Sequence, residues 1–109
     1  MSVNEFYTTI YQPHLDNNIS HKTVRTRTNI LNRYLIESYG SSEINDITKS
    51  DINNIYDQAE QNGLKRNTIF GIYAALSSFF RLAMKRNLTT SNPVAEARRI
   101  RPSTKYKYV

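Results

Sequence analysis

The residues best able to do chemistry in this sequence lie between positions 22 and 33, and they are cationic, amide or hydroxyl side chains. On a helix of roughly 100° per residue they fall within a sector of roughly 100°, with the apolar residues of the same stretch opposite. Arginine and lysine suit phosphate oxygens and guanine edges, whereas asparagine and threonine can bond to other base edges. The pattern predicts a helix lying in a major groove of DNA, although an ordinary solvated face has the same composition. The face comprises Lys22, Arg25, Thr26, Asn29 and Arg33.

A second outward stripe is predicted further along the chain, with small residues in its middle and cations at one end. The small residues would let the helix backbone approach a DNA backbone, but they would equally let another helix pack closely. Residues 65–68 crowd the start of this helix, where free N–H groups and the helix dipole favour an anion. Phe70, beside the stripe, could meet a thymine methyl or complete the core. The stripe comprises Asn67, Gly71, Ala74, Ser78, Arg81 and Lys85.

Charge is distributed unevenly along the chain. The formal net charge is +6, and residues 1–63 carry five basic and eight acidic side chains, whereas residues 64–109 carry ten basic and one acidic. No acid occurs between Asp16 and Glu37. Two separated basic regions of this kind indicate a polyanionic partner. The tail could contact nucleic acid or serve only as a solubilising tether; its cations are Arg98, Arg99, Arg101, Lys105 and Lys107, interleaved with Tyr106 and Tyr108.

Missing motifs exclude several kinds of site. The sequence has no cysteine, which rules out disulfides and thiolate metal sites, and its two histidines lie far from any carboxylate cluster. No glycine-rich phosphate loop, nucleophile elbow, zinc signature or calcium-binding loop occurs. We therefore expect no metal, no cofactor and no catalytic residue. His14 is expected at a helix end, His21 on the surface near the basic face, and Tyr34, Tyr56 and Tyr73 in the core rather than as nucleophiles.

Length and hydropathy favour a single domain away from membranes. The 109 residues, 39% of them hydrophobic, suit one core. No apolar stretch approaches the roughly 20 residues that span a bilayer, and the N-terminus lacks a signal-like apolar segment. We expect a cytoplasmic protein without a membrane partner.

Apolar residues recur at intervals of three and four, so the sequence predicts an all-α fold, a compact bundle of four to five helices. Cap and stop signals divide the chain into helices. The expected helices run from Ser2 to about Pro13, from about Ser20 to Ser38 with Gly40 as a left-handed cap, from the Thr48 cap to Asn62 and Gly63, from Arg66 to Arg86, and over part of 94–100, with a basic linker from Pro102.

The apolar stripes of these helices predict the core, and Ile44 and Ile47 are expected to hold a loop against it. The other expected core residues are Val3, Phe6, Tyr7, Ile10, Tyr11, Val24, Leu31, Leu35, Ile52, Ile55, Ala59, Ile69, Ile72, Leu76, Phe79, Phe80, Ala83 and Met84.

Four segments in this order resemble the SAM-like core-binding domain of phage and conjugative-transposon integrases, which are tyrosine recombinases. Residues 20–23 resemble the family's "s-x-x-T" opening, and residues 44–52 its "l-x-x-I-T-x-x-d-i" segment. Residues 63–69 resemble "g-L-s-x-x-T-i", and Phe79 to Ala83 with Asn92-Pro93-Val94 resemble "f-x-x-A" and "N-P-v". Lys65 departs from the pattern, because the family commonly has a serine cap there.

The resemblance implies a C-shaped clamp, in which this domain covers one face of a core recombination site and a catalytic domain covers the other. It implies that the second and fourth helices lie in or across the major groove. On the second helix, the DNA-facing residues that the resemblance implies are Lys22, Arg25, Thr26 and Asn29. On the fourth helix they are Lys65, Arg66, Asn67 and Gly71.

The resemblance also implies what this chain would lack and what it would contact. The family's catalytic arginines, lysine, histidine and tyrosine nucleophile would lie downstream, so Tyr106 and Tyr108 are expected to be linker residues. An upstream arm-binding domain would be missing as well, which suggests a fragment of a recombinase from a phage or other mobile element, without strand-transfer activity of its own. The implied partners are double-stranded DNA, the catalytic domain of the same protein and other protomers in a synaptic complex. Candidates for the contacts with other protomers are Tyr7, Tyr11 and Val94, although packing within the monomer is the simpler interpretation.

Two functions therefore stay open. The first is DNA binding by a domain over residues 1–101 followed by a linker over 102–109; the alternative is a helical protein–protein interaction or regulatory module. The predicted DNA-binding residues are His21, Lys22, Arg25, Thr26, Asn29, Arg33, Lys65, Arg66, Asn67, Gly71, Arg98, Arg99 and Arg101.

Overall fold

Five helices carry the backbone in the computed structural model, which describes residues 1–18 and 20–100 and contains no strand within those ranges. The predicted all-α bundle is therefore confirmed. The tail cations from Arg101 onward and the predicted linker lie outside the described residues.

The first helix, α1, continues through Pro13, so the predicted stop at that proline is wrong. It consists of an α-helical turn Val3–Phe6, a π-helical segment Tyr7–Tyr11 and an α-helical segment Gln12–Asn18. Ser2 and Glu5 form the predicted capping box, each side chain bonding the other's backbone N–H at 3.1 Å. The π segment immediately before Pro13 widens the turn, which gives the proline ring the space that a regular helix would deny it.

The second helix, α2, begins behind the predicted Ser20 cap and comprises α-helical His21–Leu31, π-helical Asn32–Ile36 and α-helical Glu37–Tyr39. Gly40 has a right-handed φ of −58°, so the predicted left-handed cap is wrong. A Cβ at Gly40 would lie 2.6 Å from the carbonyl oxygen of Ile36, and this close approach is what requires glycine. The Gly40 carbonyl also accepts a hydrogen bond from the Asn4 N–H at 2.9 Å, which ties the start of α1 to the end of α2.

The third helix, α3, spans Lys49–Gln61 and has both predicted ends. Thr48 and Asp51 form a capping box at its start, and Gly63 follows its end with a φ of +78°. The Leu64 N–H donates to the Ala59 carbonyl at 3.1 Å, as a left-handed glycine cap allows.

The fourth helix, α4, spans Arg66–Lys85, and the short α5 spans Pro93–Glu96 behind an Asn92 cap. The Asn45 Oδ1 accepts from the Thr89 hydroxyl at 3.0 Å and from the Thr90 N–H at 3.1 Å, which fixes the loop between these helices.

Phe79 of α4 lies at the centre of the core, fully buried. Its ring lies 5.0 Å from that of Phe6 in an edge-on arrangement, 5.1 Å from that of Tyr11 and 5.2 Å from that of Phe80. Such contacts between aromatic rings add to the free energy gained by burying apolar surface. Helices α1 and α4 are therefore joined through aromatic side chains.

Most of the predicted core is buried, with a few corrections. Met84 is 40% exposed, and Tyr34, Tyr73 and Ile10 are only half-buried, whereas Tyr56 is fully buried. Tyr7, Tyr11 and Val94 are buried within this chain, which leaves little of their surface for a neighbouring protomer.

We expect Phe79→Ala to lower the free energy of unfolding by roughly 3–5 kcal/mol, because the truncation leaves a cavity between three aromatic rings. Urea denaturation followed by circular dichroism would measure the change. The matched control on the same helix is Met84→Ala, which should lower stability much less, by about 1 kcal/mol or below, because Met84 is 40% exposed and lies outside the aromatic core. Equal losses in both variants would contradict the central place of Phe79.

Candidate nucleic-acid interface

The contact between α2 and α4 organises the polar surface. A Cβ built on Gly71 of α4 would lie 4.0 Å from the Cδ1 of Ile30 of α2. Further along, the Arg27 Nη1 of α2 donates to the Ser78 Oγ of α4 at 3.2 Å. The residue number falls from Ile30 to Arg27 along α2 while it rises from Gly71 to Ser78 along α4, so the two helices run antiparallel.

The predicted polar faces of both helices lie on the side of this contact that faces away from the core. Val24, Leu31 and Leu35 of α2 point into the core, and so do Ile72 and Phe79 of α4. One side of each helix faces its partner and a second side faces the core, so the polar residues occupy the remaining, solvated sides. The exposed residues on them are Lys22, Arg25, Thr26, Asn29, Arg33 and Asn67.

The N-terminus of α4 carries two exposed cations, Lys65 and Arg66, and Arg66 lines a cavity together with Glu60, Arg98 and Arg99. Lys65 occupies the cap position and makes no side-chain cap hydrogen bond, so the departure from serine leaves the first amides of α4 without that acceptor. Gly71 is only half-exposed because it lies against Ile30. Gly71 therefore contacts α2, although a Cβ there would have room at 4.0 Å from Ile30.

An open groove of about 450 Å³ runs beside the C-terminal half of α4. Sequence reasoning assigned Arg27 to no site, because it falls on the flank of α2 that faces α4, whereas Arg81 and Lys85 form the cationic end of the predicted outward stripe. Its described lining includes no carboxylate, so the groove is a cationic surface. The lining residues are His14, Arg27, Tyr73, Ala74, Ser77, Ser78, Arg81, Leu82 and Lys85.

Hydrogen bonds hold Arg27 at the head of this groove. The Tyr11 hydroxyl donates to the Ser78 Oγ at 3.1 Å, and the Arg27 guanidinium donates to the same oxygen at 3.2 Å. Burial raises the pKa of Tyr11 above its usual value, which keeps this hydroxyl a donor at neutral pH. His14, expected at a helix end, instead lies within α1 and lines the groove.

Comparison with protein-family models matches residues 5–87 to the phage integrase N-terminal SAM-like domain. The chain belongs to this family. The match confirms the resemblance noted in the sequence, and it concerns the N-terminal domain of integrases, not the catalytic one.

Two solved structures share the fold of this integrase SAM-like domain. One is a crystal structure of a lambda integrase dimer bound to a core site, with 22% identity, a TM-score of 0.81, and coverage of 95% of this chain and 36% of that chain. The other is the solution structure of an integrase-like domain from Bacillus cereus, with 21% identity, a TM-score of 0.81, and coverage of 95% of this chain and 89% of that chain. This chain thus spans about a third of the lambda integrase chain. A search of curated proteins finds no match.

The predicted DNA-binding residue Arg98 is already engaged within the integrase SAM-like domain. Its Nη1 donates to the Asp57 Oδ1 at 2.8 Å and its Nη2 to Glu60, while its backbone N–H donates to the Asn53 Oδ1 at 3.0 Å. Its guanidinium also lies 5.7 Å from the centre of the Tyr56 ring. Arg98 therefore fastens the chain after α5 to α3, and we call this set of contacts the Arg98 clamp. Arg99 is exposed beside it.

Tyr56, beneath the clamp, is unsuited to nucleophilic chemistry. Its side chain is fully buried, and its hydroxyl has no hydrogen-bond partner among the described residues. Burial raises the pKa of Tyr56 well above that of a solvated tyrosine, so the phenol stays protonated. The described part of the chain contains no group of three or more histidines and acids placed to hold a metal, and none of its helices is long and apolar enough to cross a bilayer.

We expect Arg98→Ala to lower the free energy of unfolding by about 1 kcal/mol, because it removes two partly solvated ion pairs and a cation–π contact. It should also speed amide hydrogen exchange of residues 97–100. Thermal denaturation and hydrogen exchange by NMR would measure the two effects. Arg99→Ala removes the same charge without a clamp contact, and an equal effect from both variants would contradict the clamp.

Proposed function

We propose that this chain is the core-binding domain of a site-specific tyrosine recombinase, which positions the enzyme on a core recombination site for DNA integration or excision. The observation that carries the proposal is that every residue of the polar and cationic face of α2 is exposed, while α4, packed against α2, carries further exposed cations. Membership of the integrase N-terminal family supports it. The lambda integrase of similar fold was crystallised on a core site, which supports it further.

Different side chains would do different work on the duplex. Lys22, Arg25 and Arg33 are exposed cations, suited to phosphate oxygens of the two DNA backbones that flank a groove. Thr26 and Asn29 lie between them on α2, where their short polar side chains could bond to base edges. The phosphates would supply most of the affinity and α2 the sequence preference. Lys65, Arg66 and Asn67 would bind the backbone at the start of α4.

Cutting and rejoining of DNA would then belong to the catalytic domain of the same recombinase. This chain would contribute placement and no strand transfer of its own. The catalytic domain and other protomers in a synaptic complex are the protein partners that follow from this role.

The alternative of a helical protein–protein module has less support from the surface. Within the described residues, the large hydrophobic side chains that are exposed are Met1 and Met84. The core of a protein interface is more apolar than its rim, and two separate methionines offer little of such a core. The cationic faces therefore favour DNA over a partner helix.

We expect binding to a short fluorescein-labelled duplex of mixed sequence to weaken steeply with salt, with a slope of log K against log salt near −4.5 if about five phosphates are neutralised. Fluorescence anisotropy would measure it. Arg25→Gln should make the slope less negative by about 0.9, while Lys49→Gln, a matched change of an exposed cation outside both faces, should leave it unchanged. Binding that is insensitive to salt would refute the proposal.

We expect Asn29→Ala to relax sequence preference instead of weakening all binding equally. A base-specific contact of this kind is worth roughly 1–3 kcal/mol of discrimination. Selection from a randomised duplex library with the native protein and the variant would compare their preferred sites. If both select the same sequences with the same stringency, Asn29 reads no base.

A further inference from the structure

The groove beside the C-terminal half of α4 holds three cations that belong neither to the polar face of α2 nor to the start of α4. They are Arg27, Arg81 and Lys85, and His14 lines the same groove. None of the three cations makes an ion pair with a described carboxylate. Three like charges around one open groove repel one another, and an anion placed between them would relieve that repulsion.

Two consecutive serines tether the two guanidinium groups. The Ser78 Oγ accepts from Arg27 at 3.2 Å, and the Ser77 Oγ accepts from Arg81 at 3.3 Å. Each guanidinium has five N–H donors, so one bond to serine leaves donors for a ligand. The tethers restrict both side chains before a ligand arrives, which reduces the entropy lost on binding.

The shape of the groove suits a polymer better than a small molecule. It is open and shallow, with a volume of about 450 Å³, and its described lining carries hydroxyls and cations without a carboxylate. A phosphodiester passing along an open cationic surface fits this chemistry, because arginine donates to two phosphate oxygens at once.

We propose that this groove is a second phosphate-binding site, in which Arg27 and Arg81 hold one backbone phosphate of the duplex with Lys85 beside it. The proposal rests on the function proposed above. Arg66 and Arg81 are separated along α4 by roughly 22 Å, from a rise of about 1.5 Å per residue. This distance exceeds the roughly 12 Å width of a major groove. The two ends of α4 would therefore contact different phosphates of the duplex.

The test compares Arg27→Gln, Arg27→Lys, Arg81→Gln and the control Lys49→Gln in anisotropy titrations with the same mixed-sequence duplex over a range of salt. Arg27→Gln and Arg81→Gln should each make the slope less negative by up to about 0.9 and weaken all sequences alike. Arg27→Lys keeps the charge and should lose less affinity than Arg27→Gln. NMR shifts of the Ser77 and Ser78 amides on adding duplex should shrink in the glutamine variants.

The proposal is overturned if the native protein binds the duplex and Arg25→Gln weakens it, while Arg27→Gln and Arg81→Gln behave like Lys49→Gln. If the native protein binds no duplex, the function proposed above fails, and titration with inorganic phosphate then decides about the groove. NMR shifts at the Ser77 and Ser78 amides that Arg81→Gln abolishes would support an anion site that does not need DNA, and the absence of such shifts would overturn the proposed site.

Thermal denaturation checks whether each variant folds. Should Arg27→Gln unfold, the exposed Arg81 and Lys85 carry the test through Arg81→Gln and Lys85→Gln.

Discussion

The packing of α2 against α4 is the constraint on which the rest of this surface depends. Ile30 of α2 lies beside Gly71 of α4, where a Cβ would be in ordinary contact at 4.0 Å, and Arg27 of α2 donates to Ser78 further along α4. Phe79 turns a neighbouring side of α4 into the aromatic core. With those sides occupied, the cations and amides of both helices are left on the solvated sides.

The same contact joins three helices through one half-exposed serine. Ser78 lies between Tyr11 of α1 and Arg27 of α2, and it accepts a hydrogen bond from each. The Tyr11 side chain is fully buried, and its hydroxyl would be costly to bury without a bond, so this arrangement specifies the relative position of three helices. An apolar residue at that position could pack well but would leave Tyr11 and Arg27 without their acceptor.

Local signals allowed most of the fold to be predicted from the sequence, and contacts between distant segments account for what was missed. The caps at Ser2, Thr48 and Gly63 depend on residues a few positions apart, and all three were found. Wheel reasoning assumes 3.6 residues per turn, so the π segment Asn32–Ile36 displaces the residues within and beyond it. Tyr34 within this segment is half-buried, whereas its neighbour Leu35 is buried as predicted.

The candidate site was predictable only where it follows one helix. The polar face of α2 repeats within twelve residues, and every member is exposed as expected. Arg27 was missed because its serine partner lies 51 positions away, and the engagement of Arg98 was unforeseen because Asp57 lies 41 positions away. Contacts between residues so far apart in the sequence produce no repeating pattern that a single sequence could show. Met84 was misplaced for a related reason, since nothing local tells which edge of an apolar stripe meets a neighbour.

The Arg98 clamp has a mechanical consequence. Asn53, Asp57 and Glu60 lie along one side of α3 over roughly 10 Å, and all three bind the same residue of the departing chain. The segment after α5 is thereby held against α3 at three points, so a displacement of Arg98 acts on α3 and not on the short α5 alone.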